Sequence, residues 1–349
     1  MESHPLVYIR TDGNETIATG HLMRCLSIAR ALRKRGGLPI FIVSDADSIL
    51  LLQKMMTPDE TARKAYPVIH LQTDYRNPEP EIPVMQRILS SHNVSFLLVD
   101  SYFATSRYLS RMSQICRTAY LDDLQAFDYP VDLVINYDLA VDASFYKSAK
   151  SVLTGSAYAP LRSQFSLRPY RVWERVKDVL LSTGGTDPFG IAGGLIRRLQ
   201  SFPEFGDVCL HALTGPMHAH RAELMRMAEE DSRIVLHENV SDMASLMAGC
   251  DLAVSAGGTT LYELCAVGVP CVSYAMADNQ LPCTKAFENA GLIPFAGDIR
   301  NNPDFLEQTA QKLLELSLDF PLRREISARM RMAVDGAGAD RIAEALSRA

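Results

Sequence analysis

Several features that mark particular classes of protein are missing from this sequence of 349 residues. No apolar run approaches the roughly 20 residues that a bilayer-spanning helix needs, which predicts no membrane insertion. Residues 1–5 lack the basic-then-apolar order of a secretory signal, so we expect a cytoplasmic protein. Acidic residues outnumber basic ones, 41 to 35, and the resulting formal net charge of -6 argues against nucleic acid as a partner.

Paired cysteines and a dinucleotide fingerprint are also missing. The seven cysteines include no C-x-x-C pair and several lie in apolar segments, which predicts reduced, buried thiols. The same spacing offers no zinc site, so we expect no metal. The first turn, residues 12–20, lacks G-x-G-x-x-G, which argues against a nicotinamide-dependent dehydrogenase.

Strand-like and helix-like segments alternate along the chain, which predicts an α/β fold with parallel sheets. The chain length favours two domains. We place these at residues 1–160 and 161–349, with the last helix able to pack on either. The first half contains predicted strands at 6–10, 39–43, 94–99, 118–121 and 132–136, and a helix over 21–35. The pattern restarts after about residue 175, with predicted strands at 177–182, 208–213, 234–236, 252–254 and 270–274, and helices near 191–199, 219–230, 243–248, 260–267 and 279–290.

The most informative segment is the turn Thr19-Gly20-His21, directly after the first predicted strand. Open α/β sheets bind ligands at the carboxyl ends of their strands. Histidine is the side chain best suited to move a proton near neutral pH. The helix that begins near His21 would attract an anion such as a diphosphate and disfavour a protonated imidazole. His21 is therefore a candidate general base; the alternative is that it only packs or caps the helix start.

Polar, glycine-containing loops follow strands in the second half. Residues 182–187 and 255–263 offer glycines and hydroxyls at helix starts, which suits a diphosphate. Glu263 could accept hydrogen bonds from a ribose diol, or it could be the capping-box partner of Thr260. Residues 278–280, Asp-Asn-Gln, could bind sugar hydroxyls or acetamido groups, or form a polar helix cap.

Acidic residues end two predicted strands of the first half. Asp100 is a second catalytic candidate, either orienting His21 or binding a sugar hydroxyl. Tyr102 could pack on a sugar. Asp122 and Asp123 are adjacent, but the sequence does not assign them a paired-carboxylate mechanism.

Taken as a set, these segments resemble the PseG family of UDP-2,4-diacetamido-2,4,6-trideoxy-β-L-altropyranose hydrolases. A wider similarity is to MurG-like glycosyltransferases with the GT-B fold. The similarity runs from about residue 6 to 295. The segments that carry it are 20–24 (G-H-x-x-R), 99–102, 121–124, 155–165, 184–188, 255–263 and 278–280.

The resemblance implies two Rossmann-like domains whose parallel sheets face each other across a cleft, with UDP held mainly by the C-terminal domain. It implies His21 as the catalytic histidine and neither metal nor cofactor. The substrate-binding residues would be Gly20, Arg24, Tyr102, Gly184, Gly185, Thr186, Val240, Ser255, Gly257, Gly258, Thr259, Thr260, Glu263, Asn279 and Gln280.

The expected function is metal-independent hydrolysis of this UDP-sugar in pseudaminic acid biosynthesis. The reaction would release UDP and free 2,4-diacetamido-2,4,6-trideoxy-L-altrose with inversion. The main alternative is an inverting UDP-sugar-dependent glycosyltransferase that uses a sugar or lipid acceptor. A non-catalytic nucleotide-sugar binding protein is a further alternative, against which a base at position 21 argues.

Overall fold

The computed structural model describes residues 4–14, 16–17, 19–166, 168–215 and 218–348. The chain divides into two compact units, one of Met1–Ser163 with Ala337–Ala349 and one of Gln164–Gly336. The first unit holds a sheet of seven strands and the second a sheet of six, and every pairing between neighbouring strands is parallel. The predicted α/β class with two parallel sheets is confirmed. Among the described residues no helix is long and apolar enough to cross a membrane.

The first unit has the strand order β3-β2-β1-β4-β5-β6-β7. Its strands are β1 (Leu6–Thr11), β2 (Leu38–Val43), β3 (Val68–His70), β4 (Phe96–Asp100), β5 (Thr118–Leu121), β6 (Leu133–Asn136) and β7 (Ser151–Thr154). Its helices before the chain enters the second unit are α1 (Gly20–Lys34), α2 (Ala46–Met55), α3 (Pro58–Ala62), α4 (Ile82–Ser90) and α5 (Ser106–Ile115).

The second unit has the order β10-β9-β8-β11-β12-β13. Its strands are β8 (Asp178–Ser182), β9 (Cys209–Thr214), β10 (Ile234–Glu238), β11 (Leu252–Ala256), β12 (Cys271–Ala275) and β13 (Phe295–Asp298). Its helices are α6 (Ile191–Leu199), α7 (Arg221–Glu230), α8 (Met243–Ala248), α9 (Thr259–Val267), α10 (Leu281–Asn289), α11 (Phe305–Leu318) and α12 (Phe320–Ala333).

Helix α1 shows why the sequence pattern is reliable in the first unit. Its apolar residues recur at helical spacing and are buried together: Leu22, Cys25, Leu26, Ile28, Ala29 and Leu32. Arg33 and Lys34 lie in the last turn, where a positive charge complements the helix dipole. The helix ends before Gly36, whose φ of +82° favours glycine.

Both sheets reverse their strand order at one point, which locates the sites. Strand β1 lies between β2 and β4, and β8 lies between β9 and β11, so the chain continues from each central strand to one side and later crosses over to its other side. Doubly wound sheets bind ligands beyond the carboxyl ends of the strands at such a switch point. In the first unit that edge carries Asp100, the partner of Thr11 in the β1–β4 register. In the second unit it carries the segments that follow Ser182 and Ala256.

The last helix, α13 (Gly338–Ser347), belongs to the first unit and packs against α1. Gly338 begins this helix, and a Cβ at that position would lie 2.1 Å from the carbonyl oxygen of Ala159. Such an approach leaves no room for a side chain. The observed units thus divide after Ser163, and the chain returns to the first unit at Ala337.

We predict that Gly338→Ala destabilises the first unit by about 1–3 kcal/mol, the usual cost of overpacking, because the helix must move away from Ala159. The midpoint of thermal unfolding measures the change. The matched control is Gly193→Ala in α6, where a Cβ meets only ordinary contacts of 3.6 Å or more. That change should stabilise the protein by about 0.5–1 kcal/mol. Equal midpoints for the two variants would show that the helix does not depend on this contact.

Candidate active site

His21, the second residue of α1, is buried at the carboxyl edge of the first sheet. Its Nδ1 lies 2.6 Å from Oδ1 of Asp100. Because an ionised carboxylate only accepts hydrogen bonds, Nδ1 carries a proton, and in the neutral form of the imidazole the lone pair is on Nε2. No described residue forms a hydrogen bond to Nε2. The arrangement leaves that nitrogen able to accept a proton.

Asp100 is held as a carboxylate by its neighbours. Its Oδ2 accepts a hydrogen bond from Nε of Arg24 at 2.7 Å and one from the thiol of Cys25 at 3.3 Å, and its Oδ1 accepts from Nη2 of Arg24. Burial acts to raise the pKa of Asp100, but the positive charge of Arg24 and the contact with His21 outweigh it and hold the pKa well below its ordinary value. Of the two predicted roles of Asp100, this geometry favours orienting His21.

Arg24 directs all three guanidinium nitrogens at protein oxygens. Besides Asp100, it donates from Nη1 to both oxygens of Asp123, at 2.8 and 2.6 Å, and to the hydroxyl of Tyr137 at 2.8 Å. Burial opposes its charge, yet Asp100 and Asp123 raise the pKa of the guanidinium well above its ordinary value. Arg24 was predicted to bind substrate; in the structure its donors face these protein groups.

Tyr102 covers one side of the His21 ring. The two rings meet edge to face, with centroids 4.4 Å apart and planes at 79°. The tyrosine hydroxyl donates to Oδ2 of Asp123 at 3.2 Å. Burial and then the charge of Asp123 raise the pKa of this phenol, so Tyr102 stays neutral at physiological pH.

A small pocket in the first unit surrounds the imidazole. Ser101, from the segment 99–102 that carries the resemblance, also lines it, as do four residues that sequence analysis did not select: Asp12, Ile17, Tyr75 and Phe103. The position of Asp12 directly after β1 was a usable signal. Nothing in the sequence marked Tyr75 and Phe103, whose rings meet edge to face at 5.5 Å.

The adjacent carboxylates of Asp122 and Asp123 point to different partners and do not form a catalytic pair. Asp122 is fully buried and accepts hydrogen bonds from the hydroxyls of Tyr129 at 2.7 Å and Tyr146 at 2.6 Å. It also accepts from the backbone N–H of Gln125, a residue with φ of +46°. Asp122 therefore fixes the loop that presents Asp123 to Arg24.

Three loops meet at the carboxyl edge of the second sheet, and glycines allow their close approach. A Cβ on Gly184, whose φ is +87°, would lie 3.0 Å from Cε of Met276. A Cβ on Gly257 would lie 2.7 Å from Cγ2 of Thr284 and 2.9 Å from Cβ of Gln280. The structure thus brings the loops after β8, β11 and β12 together, as the sequence pattern predicts.

Helix α9 begins at Thr259 with Gly258, φ +143°, as its N-cap, and no side chain caps it. Its first turn contains no acidic residue. Glu263 is buried one turn inside the helix. The capping-box alternative for Glu263 is wrong, because the third helical residue after this N-cap is Leu261. The N–H of Leu261 donates to the carbonyl oxygen of Gly258 at 3.1 Å, so the N–H groups of Thr259 and Thr260 are the ones left for another acceptor.

The loop after β8 is stabilised by a residue that sequence analysis did not single out. Asp187 is fully buried and accepts hydrogen bonds from the backbone N–H groups of Ile191 and Ala192, both at 2.9 Å, and from the hydroxyl of Thr183 at 3.1 Å. The alternative that a threonine caps this helix is wrong, since the carboxylate of Asp187 does so. Gly184, Gly185 and Thr186 remain exposed.

The remaining predicted residues differ in their surroundings. Gln280 accepts a hydrogen bond from the backbone N–H of Met276 at 2.9 Å, so its side chain shapes the loop. Asn279 is exposed beside it. Val240 follows β10, two strands away from β8 in the sheet.

Within the described ranges, no group of three or more His, Cys, Asp or Glu side chains is arranged to hold a metal ion.

Comparison with solved structures identifies the fold of this chain. No protein-family model matches the chain. Among solved structures, MurG of Acinetobacter baumannii superposes with a TM-score of 0.69 at 14% identity, covering 98% of this chain and 99% of that one. The spinosyn rhamnosyltransferase SpnG superposes with a TM-score of 0.62 at 15% identity, covering 97% and 100%. The chain has the GT-B fold.

Sequence relatives are distant. The spore coat polysaccharide biosynthesis protein SpsG of Bacillus subtilis is 23% identical over 347 residues, which is 96% of each protein. A bifunctional pseudaminic acid cytidylyltransferase and UDP-2,4-diacetamido-2,4,6-trideoxy-β-L-altropyranose hydrolase of Helicobacter pylori is 23% identical over 206 residues, 57% of this chain and 37% of that protein. Membership of the PseG family stays a prediction at this level of similarity.

The pKa of Asp100 gives a pH-dependent prediction for the first unit. We expect Asp100→Asn to lower the free energy of unfolding at pH 7 by about 3 kcal/mol, because it leaves the charge of Arg24 poorly compensated. A folded-state pKa below the unfolded value stabilises the fold above about pH 4, and this contribution is lost as the pH falls through the folded-state pKa. The deficit measured by urea denaturation should therefore be constant from pH 7 to about 5 and shrink below about 4.

The control is Asp59→Asn, which removes an exposed ion pair with Arg63. Because Asp59 is exposed, though in the first turn of α3, this change should alter the free energy of unfolding by less than about 1 kcal/mol at every pH. A deficit for Asp100→Asn that stays undiminished at pH 3 would contradict the ion-pair account.

Proposed function

We propose that this protein is a nucleotide-sugar hydrolase that acts on UDP-2,4-diacetamido-2,4,6-trideoxy-β-L-altropyranose in pseudaminic acid biosynthesis. One observation carries the proposal: Nδ1 of His21 lies 2.6 Å from the ionised Asp100, so Nε2 is available as a base. The distant similarity to the hydrolase-containing protein of Helicobacter pylori supports the choice of substrate.

In the proposed mechanism, Nε2 of His21 takes a proton from a water molecule as its oxygen attacks the anomeric carbon. The new C–O bond forms on one face of the sugar while the bond to the diphosphate oxygen breaks on the other, which inverts the configuration. The transition state has oxocarbenium character, as in other glycosyl transfer. UDP leaves as an anion and needs no proton from an acid, and His21 later returns its proton to solvent.

We propose that the second unit binds UDP. The uncapped N-terminus of α9 suits the diphosphate, because backbone N–H groups and the helix dipole favour an anion there. The tight packing around Gly184 and Gly257 leaves backbone exposed to a ligand without interfering side chains. Glu263 would bind the ribose, Val240 would lie near uracil, and Asn279 and Gln280 would contact the sugar or a phosphate.

A glycosyltransferase is the second candidate, since the solved structures reported above include a rhamnosyltransferase. In that case an acceptor hydroxyl would replace water at His21. The two candidates are separated by incubating the purified protein with the UDP-sugar and no acceptor, while NMR follows the anomeric proton. Release of UDP with sugar of inverted configuration supports hydrolysis. No release until a sugar or lipid acceptor is added supports transfer.

We predict that His21→Asn lowers turnover by about 10²–10⁴-fold, the usual contribution of a general base, and leaves the affinity for UDP unchanged. Steady-state UDP release and calorimetric UDP binding provide the two readouts. The matched control is His70→Asn, an exposed histidine at the end of β3, which should retain wild-type turnover. If His21→Asn kept near-full turnover, the assignment of the base would be wrong.

We predict that Thr259→Glu weakens UDP binding by at least about 100-fold. Thr259 is exposed at the first position of α9, where a carboxylate is favourable for the helix but would repel a diphosphate. The control Thr259→Gln has nearly the same size without the charge and should bind UDP much more tightly than the Glu variant. Equal affinities for the two variants would place the diphosphate elsewhere.

A further inference from the structure

The charged side chains beside His21 form a small cluster that is largely buried. Arg24 contributes one positive charge, and its partners Asp100 and Asp123 contribute two negative charges. The side chains of Asp100 and Arg24 are only 0% and 8% exposed, and that of Asp123 is 20% exposed. With a neutral imidazole the set carries one net negative charge. Once the imidazole accepts a proton, the set is neutral.

We propose that Arg24 is a positioning residue for the histidine base and not a substrate ligand: by sharing its charge between Asp100 and Asp123, it offsets one of the two negative charges that lie beside the imidazole. The inference rests on the proposed role of His21. It accounts for a guanidinium that lies 3.2 Å from Nδ1 of His21 while all of its nitrogens donate to protein oxygens.

The sign of the effect follows from electrostatics. Two carboxylates without Arg24 would strongly favour the imidazolium, and a histidine protonated before the reaction cannot act as a base. Arg24 without Asp123 would leave less negative charge to balance the imidazolium. Arg24 and Asp123 therefore act on the imidazole in opposite directions.

Other ionisable groups lie near the imidazole but form no hydrogen bond to it. The carboxylate of Asp12 lines the same pocket and is paired with Arg10, which also binds Glu81, so this second set formally carries one net negative charge that none of the variants below alters. The remaining groups are the phenols of Tyr75, Tyr102 and Tyr137 and the thiol of Cys25, all uncharged near pH 7. Among the described residues, the charged side chains within hydrogen-bond distance of the imidazole are Asp100 and Arg24.

Two variants change this charge in opposite directions. Arg24→Met removes the positive charge, and Asp123→Asn removes a negative charge while its side-chain oxygen can still accept from Arg24 and Tyr102. The titration of the imidazole can be followed by NMR on protein with labelled histidine. His21 is identified among the eight histidines by the signal missing in His21→Asn.

We expect the titration midpoint of His21 to rise by one pH unit or more in Arg24→Met and to fall by about half to one unit in Asp123→Asn. The control Tyr102→Phe removes a hydrogen bond to Asp123 without changing charge and should leave the midpoint in place. The double variant, Arg24→Met with Asp123→Asn, restores the net charge and should return the midpoint toward the wild-type value. If Arg24→Met fails to fold, the titration midpoints of Asp123→Asn and of the control Tyr102→Phe test the inference on their own.

An unchanged midpoint in Asp123→Asn, or shifts of the same sign in both single variants, would overturn the inference. The titration needs no substrate, so it tests Arg24 even if the protein proves not to hydrolyse the UDP-sugar. If hydrolysis is found, the acid limb of the kcat/KM profile should move to higher pH in Arg24→Met and to lower pH in Asp123→Asn. A uniform loss of activity without these movements would indicate a merely structural role.

Discussion

The buried ion pair between Arg24 and Asp100 is the interaction on which the first unit's site depends. It joins helix α1 to the end of β4 and fixes the carboxylate that binds Nδ1 of His21. A buried pair of this kind is weak evidence for stability, but breaking it leaves an uncompensated charge in the interior. The strand order makes the contact available, because β4 lies beside β1 and the helix that follows β1 begins at the same edge.

The second unit repeats the strand order with different chemistry at the switch point. Where the first unit has a histidine supported by charges, the second has glycine-containing loops and an uncapped helix N-terminus. Such a site provides backbone N–H groups and space, and it suits a phosphate-bearing ligand better than it suits proton transfer. The proposed division of roles, with the base in one unit and the nucleotide in the other, follows from this contrast.

Local sequence patterns predicted the central strands of both sheets, helix α1 and the loops of the site, because hydrophobic spacing and glycines act over a few residues. They did not reveal β3, β7 and β13, and they gave no bounds for helices α2 to α5, α11 and α12. They also could not reveal the partners of Arg24, since Asp100 lies 76 and Asp123 lies 99 positions away in sequence. The sequence left open on which domain the last helix packs, and its return to the first unit brings Gly338 close to Ala159, a contact that no periodicity encodes.

The central claim is that water attacks the anomeric carbon, and isotope labelling of that oxygen tests it most directly. The reaction would be run with UDP-2,4-diacetamido-2,4,6-trideoxy-β-L-altropyranose in water enriched in oxygen-18, and both products analysed by mass spectrometry. The account predicts the label in the free sugar and none in UDP, because the bond between carbon and oxygen breaks. Label in UDP would mean attack at phosphorus and would contradict the account.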